Sequence, residues 1–113
     1  MIDDTQIPAV AGRFKALSDP GRLQILSTLW ESERSVSDVV EATGRTQPNV
    51  SQQLALLTRA GIVASRREGT RVIYRICDPW ISTICEAVCR SLEAPPPIAK
   101  RAANARGKAP RRG

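Results

Sequence analysis

Three cysteines lie close together near the end of the chain, in the segment CDPWISTICEAVC at residues 77–89, and the sequence has no histidine. Thiolates are soft donors that bind thiophilic ions or form disulfide and polysulfide bridges. Cys85 and Cys89 are one helical turn apart, so their Cβ atoms are expected about 5–6 Å from each other. Cys77 lies about two turns, or ~10 Å, before Cys85 along a helix axis. The alternative is packing, because a free cysteine behaves as a small hydrophobe.

Size and cysteine content restrict the class of protein. At 113 residues the chain is expected to form one domain, short enough that dimerisation would help to stabilise it. No apolar run approaches the ~18 residues of a membrane-spanning helix, and no signal-peptide pattern opens the sequence. The odd number of cysteines favours reduced thiols. We therefore expect a cytoplasmic protein without membrane partners.

The formal net charge of +6 is concentrated at one end of the chain. Residues 95–113 contain six Lys and Arg and no acid, whereas the acids and remaining bases of residues 1–94 balance. The end segment is also poor in large apolar groups, so we expect a folded domain over 1–94 and a basic, disordered tail over 95–113. Within the domain, residues 44–76 carry six arginines against one glutamate. That excess predicts a surface facing nucleic acid.

Apolar spacing and capping residues divide the domain into five helices and a β-hairpin. The predicted elements are a first helix over Ile7–Leu17, a second opened by Asp19-Pro20, a short third between Ser35 and Gly44, a fourth between Thr46 and Gly61, strands over 62–66 and 71–76, and a last helix from Asp78-Pro79 to Pro95. In the second helix, Leu23, Leu26, Leu29 and Trp30 are expected to point inward. This order predicts a mainly α fold in which a helix-turn-helix is followed by a wing.

Uncharged polar side chains occupy the outer face of the predicted fourth helix. Gln47, Ser51 and Gln52 are interleaved there with the inward Val50 and Leu54. Amides can make paired hydrogen bonds to adenine edges in the major groove, and hairpin arginines suit phosphates or an adjacent minor groove. We therefore expect DNA binding by this helix and the hairpin. The candidate DNA-contacting residues are Thr46, Gln47, Asn49, Ser51, Gln52, Arg59, Arg66, Arg67 and Arg71.

Three segments of the sequence resemble the ArsR/SmtB family of winged-helix transcriptional repressors. They are FKALSDPGRLQILSTL at 14–29, SVSDVVEATGRTQPNVSQQLALLTRAGIV at 35–63 and REGTRVIYRI at 67–76. The resemblance implies a homodimer joined through the first and last helices. It also implies a double-stranded DNA operator, an imperfect palindrome, that the dimer leaves when an inducer binds.

Two metal sites of the resembling family are not kept in this chain. The first is a Cys-Val-Cys-Asp motif at the start of the third helix, where residues 35–38 read Ser-Val-Ser-Asp. Hydroxyls are poor ligands for soft ions. The second site uses Asp, His and Glu on the last helix and matches Asp78, Trp80, Ser91 and Ala94, so only Asp78 survives. Zinc sensing of that type is not expected, and Asp78 is interpreted as a helix cap.

The remaining candidates for effector sensing are Cys85 and Cys89, with Cys77 as a further donor. In the resembling dimers the last helix packs antiparallel to its partner near Cys85, so four thiols could converge. The first hypothesis is an inducer such as trivalent arsenic or antimony, or another thiophilic ion, with no obligatory cofactor. The second is a thiol switch through a disulfide or polysulfide, and the third is packing alone. The expected dimer stripe consists of Ile81, Ile84, Cys85, Val88 and Leu92.

Catalysis is the competing class of function, for example by a thiol oxidoreductase. Cys85 and Cys89 lack the placement at a helix N-terminus that lowers a thiol pKa. The sequence also provides no histidine base and no glycine loop for phosphate. We therefore do not expect an enzyme. An architectural DNA-binding protein that answers to no signal is the remaining alternative.

Overall fold

A computed structural model describes residues 1–93 as five helices and a three-stranded sheet. The helices are α1 Ile7–Leu17, α2 Pro20–Glu31, α3 Val36–Thr43, α4 Gln47–Arg59 and α5 Pro79–Glu93, and the strands are β1 Arg34–Ser35, β2 Val63–Glu68 and β3 Arg71–Ile76. The predicted mainly α order with a helix-turn-helix and a wing is confirmed. The predicted basic tail over 95–113 and the end of the 1–94 domain lie outside the described residues.

Side-chain caps fix where three of the helices begin. Asp19 accepts a hydrogen bond from the Arg22 backbone N–H at 3.0 Å and opens α2. At α3, Ser35 and Asp38 exchange reciprocal side-chain to backbone bonds of 3.1 Å, which is the predicted capping box. Thr46 caps α4. The turn between α3 and α4 starts at Gly44, whose φ of 73° is a left-handed conformation that favours glycine.

The sheet differs from the prediction at two points. Its strand order is β1-β3-β2, and β1 was not predicted. The hairpin is also tighter than the predicted connection over 67–70, because Glu68 pairs with Arg71 and Arg67 pairs with Val72. The loop is therefore Gly69 and Thr70 alone, with Gly69 at φ 65°. Two-residue loops need such positive φ values to match the twist of the flanking strands.

The core lies between α2, α3, α4 and the sheet, which contact one another. Its buried side chains in this region are Ile25, Leu26, Leu29, Val39, Val50, Leu54, Leu57, Ile62, Val63 and Ile73. The prediction for Leu23 and Trp30 is wrong, since both are exposed. Ile25 takes their place, because the buried face of α2 is centred between Ile25 and Leu29 and leaves Leu23 and Trp30 at its edge.

The chain forms two compact units, residues 1–79 and a second that begins at Trp80. Within the first unit, Arg13 of α1 forms an ion pair with Asp78, which follows β3. In the second unit, Ile81 is only 1% exposed. None of the helices in residues 1–93 combines the length and the apolar character that crossing a membrane requires.

Candidate nucleic-acid interface and thiol pair

One face of α4 presents polar side chains to solvent. Gln47, Ser51 and Gln52 are exposed, and none of their side chains forms a hydrogen bond to another group within residues 1–93. Val50 and Leu54, on the opposite face, are fully buried and hold the helix against the core. The N-terminal half of α4 therefore carries free donors and acceptors on a rigid element, as readout of base edges in a groove requires.

Two other candidates, the α4 cap Thr46 and Asn49 in its first turn, already form hydrogen bonds within the protein. The Thr46 hydroxyl oxygen accepts from the Asn49 backbone N–H at 3.2 Å, and the Asn49 amide oxygen accepts from Arg45 at 3.3 Å. The Arg45 Nε also donates to Gln24 at 2.9 Å, and its guanidinium lies 3.0 Å from where a Cβ on Gly21 would stand. Arg45 thus ties the turn before α4 to α2. This role of Arg45 was not predicted from the sequence.

A second network holds α4 from its inner side. Arg22 donates to the carbonyl oxygens of Ala16 at 2.7 Å and Lys15 at 3.3 Å, and to the Gln53 amide oxygen at 3.2 Å. The Gln53 amide nitrogen donates to the Asp19 carboxylate at 3.4 Å. The end of α1 and the start of α2 are thereby fixed to α4 beside its exposed face.

The wing, defined as β2, β3 and their loop, carries two arginines that are paired with carboxylates. Arg66 forms ion pairs with Glu33 and, at 3.1 Å, with Glu68. These two carboxylates raise the pKa of Arg66, Glu33 having the larger effect. Arg66 thus reaches from the wing to the residue just before β1.

The other paired arginine of the wing reaches the start of α3. The Arg71 Nη2 donates to the Asp38 carboxylate at 2.8 Å and to the Ser35 hydroxyl at 2.9 Å. The bonds from Ser35 hold the pKa of Asp38 below its ordinary value, and Arg71 lowers it further. In contrast, Arg59 and Arg67 are exposed and unpaired within the described part of the chain.

The three cysteines are free thiols in distinct surroundings. Cys77 is exposed, and its Sγ donates to the Gly61 carbonyl oxygen at 3.5 Å. Cys89 is exposed on α5, and Cys85 is half-buried. Burial raises the pKa of the Cys85 thiol, and the neighbouring Cys89 raises it further. No group of three or more His, Cys, Asp and Glu side chains among residues 1–93 of one chain could hold a metal ion.

The apolar stripe of α5 becomes more exposed toward its end. Ile81 is buried. Ile84 and Cys85 are half-buried, whereas Val88 is 54% and Leu92 is 78% exposed. On α1, Ile7 and Phe14 are also exposed. On each helix, large apolar side chains left in water are typical of an interaction surface.

Comparisons with known proteins match the same elements. The family model described as bacterial regulatory protein, arsR family, matches residues 19–65. An HTH-type transcriptional regulator of Mycobacterium tuberculosis is 44% identical over 82 residues, which cover 72% of this chain and 71% of that protein. A probable mercury resistance operon repressor of Streptomyces lividans is 38% identical over 71 residues, 63% of this chain and 57% of that protein. A solved homodimeric winged helix-turn-helix DNA-binding domain of Mycobacterium bovis, a possible ArsR-family regulator, is 29% identical with a TM-score of 0.74 and covers 96% of this chain and 93% of that one.

Proposed function

The chain belongs to the arsR family of bacterial regulatory proteins, and we propose that it is a homodimeric repressor released from its operator by a thiophilic ion at Cys85 and Cys89. The family is one of transcriptional regulators rather than enzymes. The identity of the inducer, the pairing of two chains and the contacts to DNA are the new parts of this proposal. Each depends on a different set of residues.

Exposed groups on α4 support direct reading of DNA. Gln47, Ser51 and Gln52 have no competing partner in the described chain, so their hydrogen-bonding capacity is available to base edges. Arg59 and Arg67 are likewise free to contact phosphates. Thr46 and Asn49 remain at the start of the same helix, but their oxygens already cap and brace it.

Exposed apolar groups support a homodimer. Val88 and Leu92 on α5, and Ile7 and Phe14 on α1, would leave water if a second copy covered them. The related Mycobacterium bovis domain is described as homodimeric. Two copies of α4 would then read the two halves of an imperfect palindrome, since a two-fold protein matches a two-fold site.

Cys85 and Cys89 support an ion as the inducer better than a disulfide between them. Residues four apart on a helix hold their Cβ atoms about 5–6 Å apart, whereas a disulfide requires about 3.5–4.5 Å. A bridging soft ion tolerates the longer span. The raised pKa of Cys85 reduces its thiolate fraction and hence its reactivity toward oxidants, but a bound metal ion displaces the thiol proton outright.

The set of ligands must include a second chain when the ion needs three donors. One chain offers Cys85 and Cys89, which suffice for a two-coordinate ion, and a relative is described as a probable mercury resistance repressor. Trivalent arsenic or antimony takes three thiolates, so a cysteine of the second chain would complete that site. Ser35 does not compete, because its hydroxyl is engaged by Asp38 and Arg71.

A polysulfide bridge between Cys85 and Cys89 is the second candidate. Added sulfur atoms lengthen the link beyond a disulfide, so the one-turn spacing that disfavours a disulfide accommodates a polysulfide. Cys89 is exposed, so its thiolate is accessible to inorganic polysulfide and can attack an S–S bond of it, displacing a shorter polysulfide. Attack of the Cys85 thiolate on the resulting Cys89 hydropolysulfide then closes the bridge and releases sulfide.

The experiment is a titration of the protein against the DNA that lies upstream of its own gene. Binding is monitored by fluorescence anisotropy at fixed salt. Arsenite, antimonite, mercuric ion, cadmium and lead are then added to the complex, with peroxide and inorganic polysulfide as the oxidising arm. Release by a thiophilic ion at stoichiometric concentration supports the proposal. Release by polysulfide alone would replace it with the second candidate, and no release by any agent would contradict both.

A further inference from the structure

Three of the four arginines of the wing divide into two roles. We propose that Arg66 and Arg71 are positioning residues that anchor the wing to the β1–α3 segment, and that Arg67 is the wing residue that contacts DNA phosphate. The inference rests on DNA binding by the wing. It revises the expectation that all three arginines contact DNA.

Strand register places the arginines on opposite faces of the wing. Neighbouring residues of a strand point to opposite sides, and residues directly opposite on paired strands share a side. Glu68 is opposite Arg71 and two residues from Arg66, so these three share one face. Arg67 is opposite Val72 and lies on the other face.

The charges of the two faces differ. On the first face, the guanidinium groups of Arg66 and Arg71 meet three carboxylates, those of Glu33, Glu68 and Asp38. The loop end of this face therefore has no excess positive charge to attract a phosphate; Arg75, which shares the face, lies at its far end opposite Ala64. Arg67 has no carboxylate partner among residues 1–93, so its charge is available to DNA.

The ion pairs support the outer half of the wing, next to its loop, where the third strand of the sheet does not reach. A two-stranded hairpin alone is only marginally stable. The third strand of the sheet, β1, pairs with β3 only at Ile73 and Tyr74 and does not extend to the loop. Arg71 lies beyond this pairing and forms an ion pair with Asp38. Arg66 is directly opposite Ile73, on the strand that β1 does not pair with, and forms an ion pair with Glu33. The two ion pairs thus extend the bracing toward the Gly69-Thr70 loop.

The first test is the salt dependence of operator affinity in Arg66→Gln, Arg71→Gln and Arg67→Gln. The slope of log K against log salt falls by about 0.9 for every phosphate that the protein no longer neutralises, or by roughly two for a dimer, in which the substitution is present twice. We expect this reduction in Arg67→Gln only. Arg66→Gln and Arg71→Gln should weaken binding about two- to fivefold, the range of an exposed ion pair, with the slope unchanged.

The second test removes the carboxylates in Glu33→Gln and Asp38→Asn. If the arginines position the wing, these variants also weaken operator binding about two- to fivefold, and combining Glu33→Gln with Arg66→Gln adds little. If the arginines contact phosphate, loss of a competing carboxylate tightens binding and steepens the slope. Glu33 caps no helix, so the operator affinity of Glu33→Gln can still be measured if Asp38→Asn fails to fold. Tighter binding in Glu33→Gln, a reduced slope in Arg66→Gln or Arg71→Gln, or unchanged affinity in all four would overturn the proposal.

Discussion

Gln52 and Gln53 are adjacent in α4, yet only Gln53 is held by the protein. The Gln53 amide bonds to Arg22 and Asp19, whereas the Gln52 amide is exposed and bonds to no other group in residues 1–93. A rotation of about 100° around the helix axis thus places two identical side chains in different surroundings. One anchors the recognition helix, and the other is free to read DNA.

Replacing Gln52 by Ala should lower the discrimination between the operator and sequences changed at the contacted base. A bidentate contact to adenine is worth about 1–3 kcal/mol of discrimination. The measurement is competition between operator variants at constant salt. Gln53→Ala is the matched control, because it removes the same amide from the anchoring network. We expect it to lower thermal stability while the ranking of operator variants persists. Loss of discrimination in Gln53→Ala but not in Gln52→Ala would show that Gln52 does not read the operator.

Replacing Val88 by Glu should convert the dimer to monomer at micromolar concentration. The variant would place an unpaired charge in an apolar interface, which costs far more than it does in water. Sedimentation velocity measures the change. Thr83→Glu is the control, because Thr83 is exposed on the opposite side of α5 and should leave the dimer intact. A native protein that sediments as a monomer would contradict the proposed assembly.

Acid should abolish the stabilisation that Asp38 provides. The pKa of Asp38 is lowered in the folded chain from its ordinary 3.8, so its contribution to stability is present above that value and is lost as pH falls through the folded pKa. Urea unfolding of the native protein and Asp38→Asn should therefore differ at about pH 6 and converge in stronger acid. A difference that stays constant with pH would show that the carboxylate charge plays no part.

The three thiols should react with iodoacetamide in a fixed order in the absence of metal. Cys77 and Cys89 are exposed and should react first, whereas Cys85 should react last because it is half-buried and its pKa is raised from 9.0. The Cys85 rate should continue to climb as pH rises above that ordinary value. Mass spectrometry of timed digests gives the three rates. Fast labelling of Cys85 at neutral pH would contradict the burial that the structure gives it.

Local signals in the sequence predicted most of the fold. The capping box of Ser35 and Asp38, the cap at Thr46 and the turn at Gly44 depend on residues three or fewer positions apart, so short motifs reveal them. The strand β1 was missed because two residues show no periodicity and become a strand only when they pair with β3.

Long-range pairing explains what the sequence could not predict about the site. The exposure of Gln47, Ser51 and Gln52 followed from helical periodicity. That Arg71 reaches Asp38, or Arg66 reaches Glu33, depends on chain segments more than 30 positions apart meeting in space. The excess of six arginines over one glutamate in residues 44–76 predicted a surface facing nucleic acid, but three of these arginines, Arg45, Arg66 and Arg71, make contacts within the protein.

The most direct test of the proposed sensing is operator release in Cys85→Ser, Cys89→Ser and Cys77→Ser, each titrated with mercuric ion and with arsenite. Serine keeps the size of the side chain but replaces a soft donor with a hard one. We predict that all three variants bind the operator as the native protein does, that Cys77→Ser is released normally, and that Cys85→Ser and Cys89→Ser are no longer released. Normal release of both α5 variants by both ions would contradict thiol-based sensing at Cys85 and Cys89 and leave these cysteines as packing residues.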